Sequence, residues 1–147
     1  GITAAQIPEV ALPDGAGRAR IIAGQHAGTR GPARTFTPMN VWDLHLKAGH
    51  RLAFDLPEGH TTALFVLRGA LRFDEGQAVR GGELAVMTRD GSRLTFSSSE
   101  DSVVLLLSGE PIDEPIVGYG PFVMNSEEEI RQAIKDFNSG RFGRIGQ

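Results

Sequence analysis

The stretch PEGHTTALFVLRG, Pro57 to Gly69, sets a polar loop in front of a run of strand-forming residues and stops the run at a glycine. Ala63 to Leu67 are apolar at every position, so both faces of an extended chain are apolar there, as in a strand covered on both sides. Leu64 and Val66 fall on one face and Ala63, Phe65 and Leu67 on the other. Two ligands to a metal on one strand would stand at i and i+2, with partners on a neighbouring strand. This stretch offers one imidazole, His60, and nothing beside it that completes such a set.

Outward from there, similar runs recur at short intervals. RARIIAG ends at Gly24. MNVWDLHL places Trp42, Leu44 and Leu46 on one face and Val41, Asp43 and His45 on the other. HRLAFDL collects Leu52, Phe54 and Leu56 on one face, and ALRF, QAV, ELAVMT, RLTFS and SVVLLLS follow. DEGQ, RGG, RDGS and SSED between them have turn chemistry. Many short strands divided by regular turns predict an all-β sandwich or barrel from about residue 18. Residues 1–17, with Pro8 and Pro13 and little periodicity, read as an arm or linker. The chain begins at Gly1 without methionine, and a processed piece of a longer protein is expected.

The composition fits one globular domain: 147 residues, 40% hydrophobic and 22% charged. A net charge of −3 and no long basic run exclude an electrostatic nucleic-acid surface. The absence of cysteine removes disulfides, thiolate ligands and a thiol nucleophile, and with the missing signal-peptide pattern it points to the cytoplasm. No apolar run is long enough to span a membrane. Near the C-terminus, SEEEIRQAIKDFNSG predicts a helix over about 126–139. Ser126 and Glu129 have capping-box spacing, and Glu127 to Glu129 place negative charge at the positive end of the dipole. Ile130, Ala133, Ile134 and Phe137 share one face, expected to be buried, and Gly140 is the stop.

The strand succession resembles the cupins, whose fold is a double-stranded β-helix, or jelly-roll barrel. The resemblance implies a mainly β domain with one C-terminal helix. The first cupin motif runs from a glycine through His-any-His and a glutamate to a closing glycine. Laid from Gly49, it puts its histidine positions on Asp55 and Pro57, its glutamate position on Thr62 and its closing glycine on Gly69. The histidine of the second motif falls on Leu94. The frame remains and the donors do not. No metal is expected at Asp55, Pro57, Thr62 and Leu94, and Leu64, Val66 and Leu94 predict a greasy lumen. Elsewhere, His45 and Asp43 share a face and could pair, His60 reads as lining a turn, and His26 and His50 read as loop residues.

The segment EPIVGYGPFVMNSEEEIRQAIKDFNSGRFG, Glu114 to Gly143, resembles the C-terminal segment of pirin-like proteins. RIIAG, RGPARTFTPMNVWDLHLKAG, PEGHTTALFVLRG and LLLSGEPIDEPIV resemble the same family's second cupin domain. That resemblance implies a bicupin whose N-terminal barrel carries the metal, usually iron, linked with quercetin 2,3-dioxygenase activity or transcriptional co-regulation. It implies that this chain is the metal-free, non-catalytic C-terminal domain, with no cofactor of its own and the N-terminal cupin as partner. A flavonol dioxygenase using Asp55 and His60, and a metal-free small-molecule barrel, are the competing readings. Homodimerisation is expected through apolar residues of the flanks: Ile7, Val10 and Leu12, and Ile116, Val117, Tyr119, Phe122 and Met124.

Overall fold

The structure, a computed structural model, describes residues 1–74 and 76–143. The chain forms two compact units, Gly1–Pro111 and Ile112–Gln147. The first contains β1 (Glu9–Ala11), β2 (Gly17–Ala23), β3 (Gln25–His26), β4 (Thr29–Arg30), β5 (Met39–Leu46), β6 (His50–Asp55), β7 (Thr61–Arg68), β8 (Ala70–Arg72), β9 (Ala78–Arg80), β10 (Leu84–Val86), β11 (Arg93–Ser98) and β12 (Ser102–Gly109). The second contains β13 (Val117–Tyr119), β14 (Phe122–Met124) and α1 (Glu127–Asn138).

A six-stranded sheet, ordered β1-β2-β5-β12-β7-β10, a four-stranded sheet, β6-β11-β8-β9, and the β3-β4 hairpin make the first unit; all pairs are antiparallel. Among the described residues no strand pairing joins the six- and four-stranded sheets, so the cupin-type jelly roll is not a closed barrel. Strand alternation supplies the core. Ile21, Trp42, Leu44, Leu64, Val66, Val104 and Leu106 come from the larger sheet, and Leu52, Phe54, Leu71 and Phe96 from the smaller one, all buried. Aromatic rings run through this interior: Trp42 to Phe54 at 5.9 Å, Phe54 to Phe96 at 5.8 Å and Phe96 to Phe73 at 6.0 Å between centroids. That spacing is the offset and tilted contact range preferred by aromatic quadrupoles.

At Gly69, between β7 and β8, φ is +92°, and a Cβ would overlap Ser102 Oγ and the Asp101 carbonyl oxygen. Only glycine fits both the left-handed backbone and that approach.

The structure departs from the sequence reading in three places. Residues 1–17 are not simply an arm: β1 pairs with β2 as an edge strand, Leu12 and Ala16 are buried in the core and Val10 packs against it. Three residues with one inward side chain are too short to show a period. The arm's apolar residues therefore do not form the bare flank expected of them. Second, β7 is not covered on both sides: Ala63 and Phe65 are half-buried, and Leu67 is exposed, as are Leu84 and Val86 on β10.

The third departure lies in the second unit. Ser126 caps α1 as the sequence predicts, its Oγ accepting from the Glu129 amide, while the Glu129 carboxylate accepts from the Asn125 amide. Ile130 and Ala133 are buried and Ile134 is half-buried. Phe137 is 60% exposed. Its ring meets Phe122 and Phe142 edge-on or tilted, with all three centroids within 6.3 Å of one another, so it sits in a surface aromatic cluster and not in a core. Of the expected flank, Ile116 and Tyr119 are exposed while Val117, Phe122 and Met124 are half-buried; Val123 is exposed as well.

Candidate functional site

β6, β7 and β11 begin or end at the same edge of the first unit. There Pro57, Thr62 and Leu94 line one cavity of about 140 Å³ together with His60, Leu56 and Ser92. Three of the four positions that the cupin frame picks out thus converge. Asp55 does not: it is exposed, because the alternation of β6 turns Leu52 and Phe54 inward and Asp55 outward. Pro57 lies past the end of β6, where alternation no longer governs direction. The inward place beside Leu94 is filled by Phe54, its partner across the β6–β11 register.

Above this hydrocarbon layer lies a polar one. Asn40, Ser108 and Thr62 are paired in register across β5, β12 and β7, and all three are buried. His60 Nδ1 lies 3.2 Å from Ser108 Oγ, and Asn40 Oδ1 accepts from the Gln25 amide at 3.1 Å. The Thr62 hydroxyl has no hydrogen-bond partner among the described residues. His60 and Pro57 also line a second cavity of about 220 Å³ beside Asn40.

The donor set is therefore one imidazole, the Asp90 carboxylate, the Met87 thioether, hydroxyls and the Asn40 amide. Hydroxyls and amides are weak ligands for iron, nickel or zinc, and Pro57 and Leu94 have no donor atom at all. Among the described residues no group of three or more His, Cys, Asp or Glu side chains is placed to share a metal. What the layer can do is give and accept hydrogen bonds beside an apolar wall, which suits a small uncharged or weakly polar guest.

One functional-looking residue escaped the sequence reading. His26 is on β3, not in a loop, and its ring packs 4.7 Å from Trp42 and 5.5 Å from Phe54. Burial among these rings lowers its pKa, and the nearby Asp55 carboxylate offsets part of that shift. Trp42 Nε1 is buried with no hydrogen-bond partner among the described residues. The only local sign was a Gln-His pair between Gly24 and Gly28, a hairpin signature. On the other face of the larger sheet, His45 Nε2 lies 3.2 Å from Asp43 Oδ2, which also takes Arg20 at 3.2 Å, so the pair that MNVWDLHL allows forms. His50 opens β6.

Residues 41–143 match the family model of the pirin C-terminal cupin domain. The chain belongs to the pirin family. It is similar to a Pseudomonas aeruginosa protein that bears the provisional name quercetin 2,3-dioxygenase, with 55% identity over 94% of this chain and 48% of that protein. Human pirin is 32% identical over 84% of this chain and 44% of its own length. The crystal structure of quercetin 2,3-dioxygenase from Acinetobacter baumannii superposes with a TM-score of 0.90 at 44% identity, covering 99% of this chain and 50% of that one. The pirin cupin described here thus spans about half the length of the relatives it matches, and its match is to their C-terminal domain. No helix among the described residues is long and apolar enough to cross a membrane.

Proposed function

We propose that this chain is a metal-free, non-catalytic cupin domain that supports a metal-binding cupin within a longer pirin-like protein. The observation that carries the reading is the chemistry at the converging positions: Pro57 and Leu94 supply no donor, Thr62 supplies a hydroxyl, and His60 is the single imidazole of the cavity. One imidazole and the Asp90 carboxylate fall short of the three protein ligands a catalytic metal needs. Quercetin oxygenation, with its iron, then belongs to the other half of such a protein, and the same reading places the protein in the cytoplasm.

The test is elemental analysis of the purified 147-residue protein together with an assay of quercetin consumption. The expected result is far less than one iron, manganese, nickel or zinc per chain and no oxygenation. Near-stoichiometric metal, removable by chelator with loss of activity, would overturn the reading. A second reading, a metal-free barrel for a small molecule, is favoured by the Thr62 hydroxyl, which stands in the cavity wall without a protein partner. Saturable binding of a small neutral polar compound, lost on Thr62→Val, would support it.

A further inference from the structure

At the opposite end of the larger sheet, the ends of β5 and β7 and the starts of β2 and β12 line a cavity of about 570 Å³. Thr62 and Arg68 are six residues apart on β7, so the two sites are separated by about 20 Å. Leu12 and Leu46, both buried, contribute apolar walls. Arg18, Lys47 and Arg68 also line it, and Asp101 is its one carboxylate. Three of its twelve lining residues are Lys or Arg, against fifteen in the 147 residues of a chain with net charge −3. The positive charge is concentrated here against the sign of the whole protein, and such concentration steers and holds anions.

Two of the three charges are also unspent. Arg18 pairs with Glu9 at 3.4 Å, but Lys47 and Arg68 have no carboxylate partner among the described residues. One Asp101 oxygen accepts from the Ala48 amide at 2.9 Å, so that carboxylate is tied to the chain beside Lys47. His45, which also lines the cavity, is held by Asp43. The walls are preformed: the Lys47 amide donates to the Ala16 carbonyl at 2.9 Å, and the Leu12 amide to the Gly17 carbonyl at 2.9 Å. A site already shaped loses less entropy when it binds.

We propose that this cavity binds a small organic anion, with a phosphate or carboxylate head between Lys47 and Arg68 and an apolar body against Leu12 and Leu46. Phosphate and carboxylate are the shared chemistry that ammonium and guanidinium groups recognise. The site uses none of the residues around His60 and does not depend on the absence of metal there.

The experiment is a titration of the isotope-labelled 147-residue protein with phenyl phosphate, benzoate and inorganic phosphate, followed by amide NMR at constant ionic strength. Phenyl phosphate or benzoate is expected to give saturable shifts at Gly17, Lys47, Ala48 and Ser102, with little change near His60. The Lys47→Gln, Arg68→Gln variant is expected to weaken that binding roughly tenfold or more, since two charge-assisted contacts are lost. Both residues are exposed, so the variant should keep the parent spectrum elsewhere. Shifts that stay linear with concentration, that sodium chloride reproduces, or that survive the double substitution unchanged would overturn the proposal. So would equal binding of phenol, which carries the ring without the charge.

Discussion

Replacing Phe137 by alanine should cost less than replacing Ile130, although both lie on the stripe that helical spacing assigns to a buried face. Phe137 is 60% exposed, so about two-fifths of a burial worth roughly 1.5–3 kcal/mol is at stake, near 1 kcal/mol. Its contacts with Phe122 and Phe142, each at 6.1 Å, add about 0.5–1.5 kcal/mol between them at this exposed position. The total is about 1.5–2.5 kcal/mol. Ile130 is 6% exposed, and its truncation leaves a cavity as well as losing transfer energy, about 2–5 kcal/mol. The single tryptophan, Trp42, belongs to the first unit, so its fluorescence is the wrong probe for α1. Amide hydrogen exchange along residues 130–138, compared between the two variants, reads the helix directly. Faster exchange in Ile130→Ala than in Phe137→Ala is expected. Equal protection loss, or a larger loss for Phe137→Ala, would refute the assignment of Phe137 to the surface.

Three further outcomes can be checked. His26 has a lowered folded-state pKa, so between that value and the usual 6.5 the unfolded chain binds the extra proton. Stability should therefore fall as pH drops below about 6.5 and level off below the folded pKa; denaturant midpoints from pH 7.5 to 4.5 should show a shallower slope in His26→Phe. Thr62→Val should be neutral or slightly stabilising in urea melts, because no hydrogen bond is lost; a loss above about 1 kcal/mol would mean that the hydroxyl is paired. Ile116, Tyr119, Val123, Phe137 and Phe142 are exposed in the second unit, and light scattering at tens of micromolar should give a mass above the 15.8 kDa of one chain.

The strongest local patterns carried over best. MNVWDLHL is β5, Met39–Leu46, because Trp42, Leu44 and Leu46 alternate without interruption and all face the core. The capped helix emerged within one residue of its expected limits, since Ser126 and the acidic first turn fix its start. What failed was long-range or too short to repeat. His26 owes its setting to Trp42, sixteen positions on, and no local rule reports that contact. Phe137 obeys the helical period, but the twelve residues of α1 against a two-stranded hairpin do not cover the whole stripe, and the period cannot say where cover ends. At the cavity, Pro57, Thr62 and Leu94 were found by spacing. Asp55 was misplaced by the same spacing, although the alternation of Leu52 and Phe54 already turned it outward.

Gly69 bears on how such domains are read from sequence at all. Its place is dictated by Asp101 and Ser102 pressing on the backbone, not by any ligand. A glycine required by shape persists under any chemistry the cavity adopts, so a search that weighs glycine spacing will report a metal centre in domains of this kind whether or not donors exist. The same independence makes the scaffold a testbed for installing one: histidines at positions 56 and 94 and a glutamate at 62 would alter side chains around the cavity and leave the corner at Gly69 untouched.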